Sequence, residues 1–137
     1  MSAFFDTNIL VYAQQTGTKA TISQDLIEQG GTISVQVLNE LANVLRKKQG
    51  RNWRDIELLF DDIDDTLDPA LPLTVKTSRA ALALVRDDGF AFYDALIVAA
   101  AIEAGCDILY SEDMQHGRSI GGLTIVNPFL GNVSPSP

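Results

Sequence analysis

Hydrophobic residues along the chain fall into two kinds of pattern. Short continuous runs, such as residues 3–5, predict buried strands, whereas stripes that recur every three or four residues, such as residues 37–45, predict amphipathic helices. The predicted strands cover residues 3–5, 32–35, 70–75, 107–110 and 123–126. The predicted helices cover residues 9–13, 21–29, 37–45, 53–63, 78–86 and 93–104, and Gly105 is placed to cap the last of them.

Short apolar strands that alternate with amphipathic helices predict an α/β fold, a three-layer α/β/α sandwich around a mainly parallel sheet of about five strands. The 137 residues suit one compact domain, which we expect to span residues 1–130, followed by a frayed C-terminal tail at residues 131–137. Right-handed crossovers place the carboxyl ends of parallel strands along one edge of the sheet, where such folds carry their functional sites. Residues that directly follow a strand are therefore the first candidates for chemistry.

Composition predicts a globular protein that needs no disulfide. The chain is 46% hydrophobic and 20% charged, and its single cysteine, Cys106, is expected to pack in the core. The longest apolar run, residues 95–102, is far shorter than the ~20 residues of a membrane helix. An acid at position 6 and the lack of a basic leader do not resemble a signal peptide. We therefore expect a cytoplasmic protein that does not enter a membrane.

The charge is acidic overall but unevenly distributed. A net charge of −8, from 18 acids and 10 bases, argues against tight nonspecific binding of nucleic acid. It does not exclude a nuclease in which bound cations supply the positive charge at the phosphate. Five bases lie within nine residues, and this cluster could either guide a nucleic acid or complement a helix dipole. These bases are Arg46, Lys47, Lys48, Arg51 and Arg54.

Four acids occupy positions that the predicted fold can bring together. Asp6 ends the first strand and Asp113 follows strand 107–110, so the two would face each other if these strands are neighbours. Asp94 lies in the first turn of an otherwise apolar helix, and Glu40 borders the core-facing stripe of its helix. Each also has a simple structural interpretation, as an N-cap, a helix-terminal acid, a flanking glutamate or a loop acid.

If the four carboxylates lie close together, their mutual repulsion must be offset by another interaction. Two carboxylates 4 Å apart repel by ~4 kcal/mol at an effective dielectric of 20. Protons could relieve this, but Mg²⁺ or Mn²⁺ does so better because both ions prefer oxygen ligands. The sequence contains neither a CxxC nor an HExxH motif, which disfavours zinc. Its one histidine, His116, is more typical of a loop residue than of a ligand or substrate contact.

Four short motifs resemble those of PIN-domain ribonucleases and occur in the family's order. They are Phe5-Asp6-Thr7-Asn8-Ile9-Leu10, Asn39-Glu40-Leu41, residues 92–101 (FYDALIVAAA) and Leu109-Tyr110-Ser111-Glu112-Asp113-Met114. The resemblance extends from residue 5 to residue 113 and implies a PIN-like domain that hydrolyses RNA phosphodiester bonds with Mg²⁺ or Mn²⁺. The short length is most similar to VapC-type toxins of toxin–antitoxin pairs.

The resemblance also implies a role for each site residue. Asp6, Asp94 and Asp113 would ligate metal, and Glu40 would act as a ligand or as a base that orients water. Glu112 is an adjacent acid that could share or replace the role of Asp113. Three polar residues would fix the carboxylates: Thr7, Asn8 and Ser111.

A VapC-like protein further implies a cognate antitoxin that covers the acidic pocket, and assembly into homodimers or larger oligomers. Ile9, Leu10 and Tyr12 could form that interface or could belong to the core. Two alternatives to a nuclease stay open. One is a phosphatase-like hydrolase with Asp6 as nucleophile, although Asn8 stands where such enzymes carry a second acid. The other is a catalytically silent PIN-fold module that binds a protein partner.

Overall fold

A computed structural model describes residues 2–131 of the protein, and it has the mixed α/β architecture that the sequence predicts. The elements occur in the order β1 (Ala3–Phe5), α1 (Thr7–Ala13), α2 (Thr18–Glu28), α3 (Val35–Lys47), α4 (Trp53–Thr66), α5 (Val75–Asp88), α6 (Phe92–Glu103), β2 (Ile108–Tyr110), β3 (Ser119–Ile120) and β4 (Leu123–Val126). Of the predicted frayed tail, residues 132–137 lie outside the described residues.

The sheet is mainly parallel, with the order β1-β2-β4-β3. β1 pairs with β2 and β2 with β4 in parallel, while β3 runs antiparallel to β4. The predicted strands at residues 32–35 and 70–75 are reduced to single bridges, Phe4–Thr32 and Ser34–Leu71, because α3 already begins at Val35 and α5 at Val75. The short strand β3 was not predicted, since two residues carry too little pattern to be recognised.

The core explains why the helices form where they do. On α3, the stripe of Val37, Leu41 and Leu45 is completely buried. The helix α6 buries residues 95–101 without interruption, as its almost wholly apolar sequence requires. It ends as predicted before Gly105, whose φ of 72° is a left-handed conformation that glycine adopts without strain.

Two smaller predictions are also decided by burial. Cys106 is a buried free thiol, as expected. The interpretation of Ile9 and Leu10 as interface residues is wrong, because their exposures of 0% and 2% leave no surface for a partner. Both residues pack in the hydrophobic core, and Tyr12 is partly buried against it.

The pairing of β1 with β2 positions the residues that follow these strands. Phe5 lies opposite Tyr110 in parallel register, and the backbone N–H of Asp6 donates to the Tyr110 carbonyl at 2.9 Å. The chain therefore leaves both strands at the same edge of the sheet, with Asp6 beside Ser111. Within the described residues, no helix has both the length and the apolar character needed to cross a membrane.

Candidate metal centre and active site

The four predicted acids line one pocket of about 410 Å³. Asp6 comes from the end of β1, Glu40 from α3, Asp94 from the first turn of α6, and Asp113 from the loop after β2. Glu112 lines the same pocket. The fold thus brings together five carboxylates from four separate parts of the sequence, while their roles in metal binding and catalysis stay predictions.

Asp6 is the most deeply buried of these acids, at 4% exposure. Its Oδ1 accepts a hydrogen bond from the Thr7 N–H at 2.7 Å, so Asp6 is also the N-cap of α1. Its Oδ2 accepts from Ser111 Oγ at 2.7 Å and from Asn8 Nδ2 at 3.3 Å. The three residues predicted to support the carboxylates therefore all contact Asp6.

The electrostatic environment disfavours charge on two of the acids. Burial raises the pKa of Asp6 from 3.8 to about 6, and although the hydrogen bonds from Ser111 and Thr7 oppose this rise, Asp94 and Glu40 add to it. Burial also raises the pKa of Asp94, and repulsion from Glu40 and Asp113 raises it further. No base forms an ion pair with any of these four acids within residues 2–131.

Glu40 is held by two neutral donors. Thr7 Oγ1 donates to its Oε1 at 2.9 Å, and Gln36 Nε2 donates to its Oε2 at 2.8 Å. Gln36 lies one helical turn before Glu40 on α3 and is itself buried. The sequence interpretation missed Gln36, although its i,i+4 spacing from Glu40 is the signal that could have found it.

Asn8 connects the acids at the edge of the sheet. Its Nδ2 lies 3.3 Å from Asp6 Oδ2 and 3.2 Å from Asp113 Oδ2, and it donates to both. Its Oδ1 accepts from the Glu112 N–H at 3.2 Å. One carboxamide therefore ties the loop after β2 to the end of β1 and orients Asp113, whose side chain is exposed.

Glu112 has partners of a different kind. Its carboxylate accepts hydrogen bonds from Tyr12 Oη and from Lys19 Nζ, which also makes an ion pair with it. Partial burial acts to raise the pKa of Glu112, but the bonds from Lys19 and Tyr12 outweigh it and hold that pKa below its ordinary value. The Lys19 ammonium also lies 5.0 Å from the Tyr12 ring centroid. Glu112 is thus already neutralised by the protein, unlike Asp94.

His116 and the basic cluster differ in their position relative to the pocket. His116 does not line the pocket, and its Nδ1 accepts from the Asn127 N–H at 3.0 Å, which is the loop role. The basic cluster, by contrast, reaches the pocket through Lys48. Sequence reasoning did not place Lys48 there, because its position depends on how the end of α3 packs.

The donor set fits a hard divalent cation. All candidate ligands are carboxylate oxygens, which Mg²⁺ and Mn²⁺ prefer, and the buried charge of Asp6 lacks a cationic partner. Among the described residues, no group of three or more His, Cys, Asp or Glu side chains is arranged to hold a metal. This does not conflict with magnesium, which is usually bound through one or two carboxylates and retains several waters.

Comparison with known proteins places this pocket in a family context. Residues 3–118 match the PIN domain family, whereas no curated protein matches the chain. The fold is similar to that of Mycobacterium tuberculosis VapC20, a toxin that cleaves the sarcin–ricin loop (TM-score 0.66, 21% identity, covering 82% of this chain and 90% of that one).

Two further structures share the fold. One is a toxin–antitoxin complex from Klebsiella pneumoniae (TM-score 0.69, 22% identity, 93% and 98% covered). The other is VapBC2 from Rickettsia felis bound to a fragment of promoter DNA (TM-score 0.63, 20% identity, covering 91% of this chain and 97% of that one). The family match covers most of the chain and includes all of the pocket acids, and the chain belongs to the PIN-domain family.

Proposed function

We propose that the protein is a divalent-metal-dependent endoribonuclease and acts as the toxin of a toxin–antitoxin pair. The observation that carries this proposal is a single pocket lined by Asp6, Glu40, Asp94 and Asp113. The two of these acids with raised pKa values, Asp6 and Asp94, have no ion-pair partner within residues 2–131. A divalent cation would relieve their repulsion, and the same cation would attract a phosphate.

Asp6 and Asp94 would hold the cation, with Asp113 and Glu40 contributing directly or through water. When bound, the metal activates water near neutral pH and neutralises charge that develops on the phosphoryl oxygens. Manganese and magnesium are both compatible with an all-oxygen donor set. Asp94 accepts no hydrogen bond from the rest of the described chain, so its carboxylate oxygens are open to a cation and to water.

The chain's own residues orient the reacting groups. Thr7 and Gln36 hold the two oxygens of Glu40, which fixes the direction in which that carboxylate can accept a proton from an attacking water. Asn8 fixes Asp113 relative to Asp6 through its two contacts. Such fixed acceptors reduce the reorganisation that the reaction would otherwise require.

The proposed toxin role is supported by the solved structures that share this fold. Similar structures include a VapC toxin and a toxin–antitoxin complex, and these support an antitoxin partner. We propose that this partner covers the acidic pocket. We also propose that the protein forms a homodimer or larger oligomer. It would act in the cytoplasm, where it would encounter both RNA and the antitoxin.

The most direct test is cleavage of single-stranded RNA by wild type and by Asp94→Asn, with Mg²⁺ and with EDTA. The amide removes one charge without breaking a hydrogen bond within residues 2–131, so the fold is expected to persist. We expect a loss of more than about 100-fold, since even the outer partners of metal ligands contribute about 10- to 100-fold. Circular dichroism would verify the fold of each variant.

Asp61→Asn, an exposed carboxylate on α4, is the matched control and should keep full activity. Undiminished cleavage by Asp94→Asn, or equal cleavage in EDTA, would contradict the proposal. Intact binding of an antitoxin without cleavage by the wild type under any metal would instead identify a silent binding module.

A further inference from the structure

Half of the basic residues of the chain lie within residues 46–54, which cover the C-terminal end of α3, the loop that follows it and the first turn of α4. Some of these bases already have partners. Arg46 donates to the Arg51 carbonyl at 3.2 Å and lies 5.1 Å from the Trp53 ring centroid, and Arg54 lies 4.0 Å from Glu57.

Lys47 and Lys48 are different from these arginines. Both are exposed, and neither forms an ion pair or a side-chain hydrogen bond within residues 2–131. Two ammonium groups at this end of α3 are therefore free to bind an anion.

Lys48 faces the acidic pocket. Glu40, Val44 and Lys48 are four residues apart along α3, so they form one row on the helix, and all three line the pocket. Lys48 is the only base that lines it in the described part of the chain. At 1.5 Å per residue, the backbone of Lys48 lies about 12 Å along the axis from that of Glu40.

The helix dipole does not account for this placement. Arg46 and Lys47 lie in the last turn of α3, where a base complements the partial negative charge of the free carbonyls. That effect requires only proximity to the helix end and would not select the side that faces five carboxylates. Lys48 also fails to neutralise those carboxylates by ion pairing, so its position leaves its charge available to something that enters the pocket.

An RNA strand that approaches this protein meets a net charge of −8 and a pocket of carboxylates. Even with a cation at the acids, the phosphates that flank the scissile one would be repelled unless a base lies beside them. This axial separation of about 12 Å between the two backbones is longer than the spacing of adjacent phosphates in a nucleic-acid strand. It corresponds to a few nucleotides, because successive phosphates of one strand are about 3.4 Å apart along a duplex and farther apart when extended.

We propose that Lys48 binds a backbone phosphate a few nucleotides away from the scissile bond, and that Lys47 continues this path. The RNA strand then crosses the C-terminal end of α3 before it reaches the acids. The inference rests on the proposed nuclease function, since it places the scissile phosphate at Asp6 and Asp94. It assigns Lys47 and Lys48 of the basic cluster to phosphate binding rather than to the helix end alone.

The test measures binding of a short fluorescein-labelled single-stranded RNA by fluorescence anisotropy, in EDTA so that no cleavage occurs, over a series of salt concentrations. For single strands, the slope of log Kd against log salt is about 0.7 per phosphate contact. We expect Lys48→Gln to lower the slope by about 0.7 and to weaken binding at low salt. Lys76→Gln, an exposed base on α5, makes the same change in net charge and should leave the slope unchanged.

Parallel assays of Mg²⁺-dependent cleavage separate this inference from the proposed function. If wild type cleaves RNA and Lys48→Gln has an unchanged slope, or a slope lowered no more than that of Lys76→Gln, the phosphate site is refuted and the nuclease stands. If binding depends on Lys48 but wild type cleaves nothing with any divalent metal, the phosphate site stands and the nuclease is refuted. Absence of both binding and cleavage in the wild type refutes both, and cleavage without measurable binding refutes the phosphate site alone. Equal binding of single-stranded DNA would support a backbone contact that does not involve the 2′-hydroxyl.

Discussion

The negative charge of Asp6 should destabilise the metal-free protein. Burial raises the pKa of this carboxyl from 3.8 to about 6, a rise of about 2 units, and each unit corresponds to 1.36 kcal/mol. Because the folded pKa is the higher one, the folded state binds more protons than the unfolded state between these two values. The free energy of unfolding therefore falls as pH rises through this window, by about 3 kcal/mol in all, and the group adds no further change above it.

Asp6→Asn removes this ionisation and so isolates its contribution. Urea unfolding of wild type and variant in EDTA, at a series of pH values from 4 to 7.5, gives the difference in free energy of unfolding at each pH. The amide also alters the hydrogen bonds with Thr7, Asn8 and Ser111, which shifts the whole difference curve by a constant. The slope alone reports the charge, and we expect the difference to move in favour of the variant by about 2 kcal/mol between pH 4 and pH 7, because the unfolded carboxyl is already more than half ionised at pH 4.

Asp61→Asn provides the reference curve for loss of an exposed carboxylate on α4. If Asp6→Asn and Asp61→Asn give the same pH dependence, burial does not oppose the charge of Asp6, and the electrostatic argument for a cation in this pocket fails. A curve of the opposite sign would mean that the donors around Asp6 more than compensate for its burial.

Two further outcomes follow from the same contacts. Gln36→Leu removes one of the two donors to Glu40. It should slow RNA cleavage by about 10- to 100-fold with little change in KM, as measured by steady-state kinetics. The control is Asn39→Leu, which replaces a neighbouring exposed amide and should cleave normally. Mg²⁺ at about 100 times its Kd should raise the free energy of unfolding of wild type by about 2.7 kcal/mol in urea titrations. Asp94→Asn should lose most of this increase. An equal increase in both proteins would show that Asp94 does not bind the metal.

The fold could be predicted where sequence patterns are long and unambiguous. The stripe on α3 and the apolar run of α6 fixed both helices, and the apolar run before Asp6 fixed β1. Residues 32–35 and 70–75 were predicted as strands but form single bridges, because such short segments do not reveal where a following helix begins. The short strand β3 owes its existence to its pairing with β4, which is a tertiary contact.

The site was predicted to the extent that topology determines it. Neighbouring parallel strands place Asp6 and Ser111 together, and a Ser111–Asp6 hydrogen bond follows. The partners of Glu112 could not be predicted in this way, since Tyr12 and Lys19 reach it from α1 and α2. The approach of Lys48 to the pocket depends similarly on the packing of α3. Local pattern identifies the acids, whereas the donors that surround them come from helix packing.

These donors divide the carboxylates of the pocket into two groups. Glu112 is neutralised by a lysine, and Glu40 is held by two neutral donors. Asp94 has no donor within the described chain, and its pKa is raised by burial and by its acidic neighbours. A pocket that served only as a structural cluster would be expected to compensate all its acids alike, because an uncompensated buried charge lowers stability. The uneven compensation instead leaves Asp94 open beside Glu40 and Asp113, and a divalent cation bound there would relieve the repulsion that helps to raise the pKa of Asp94.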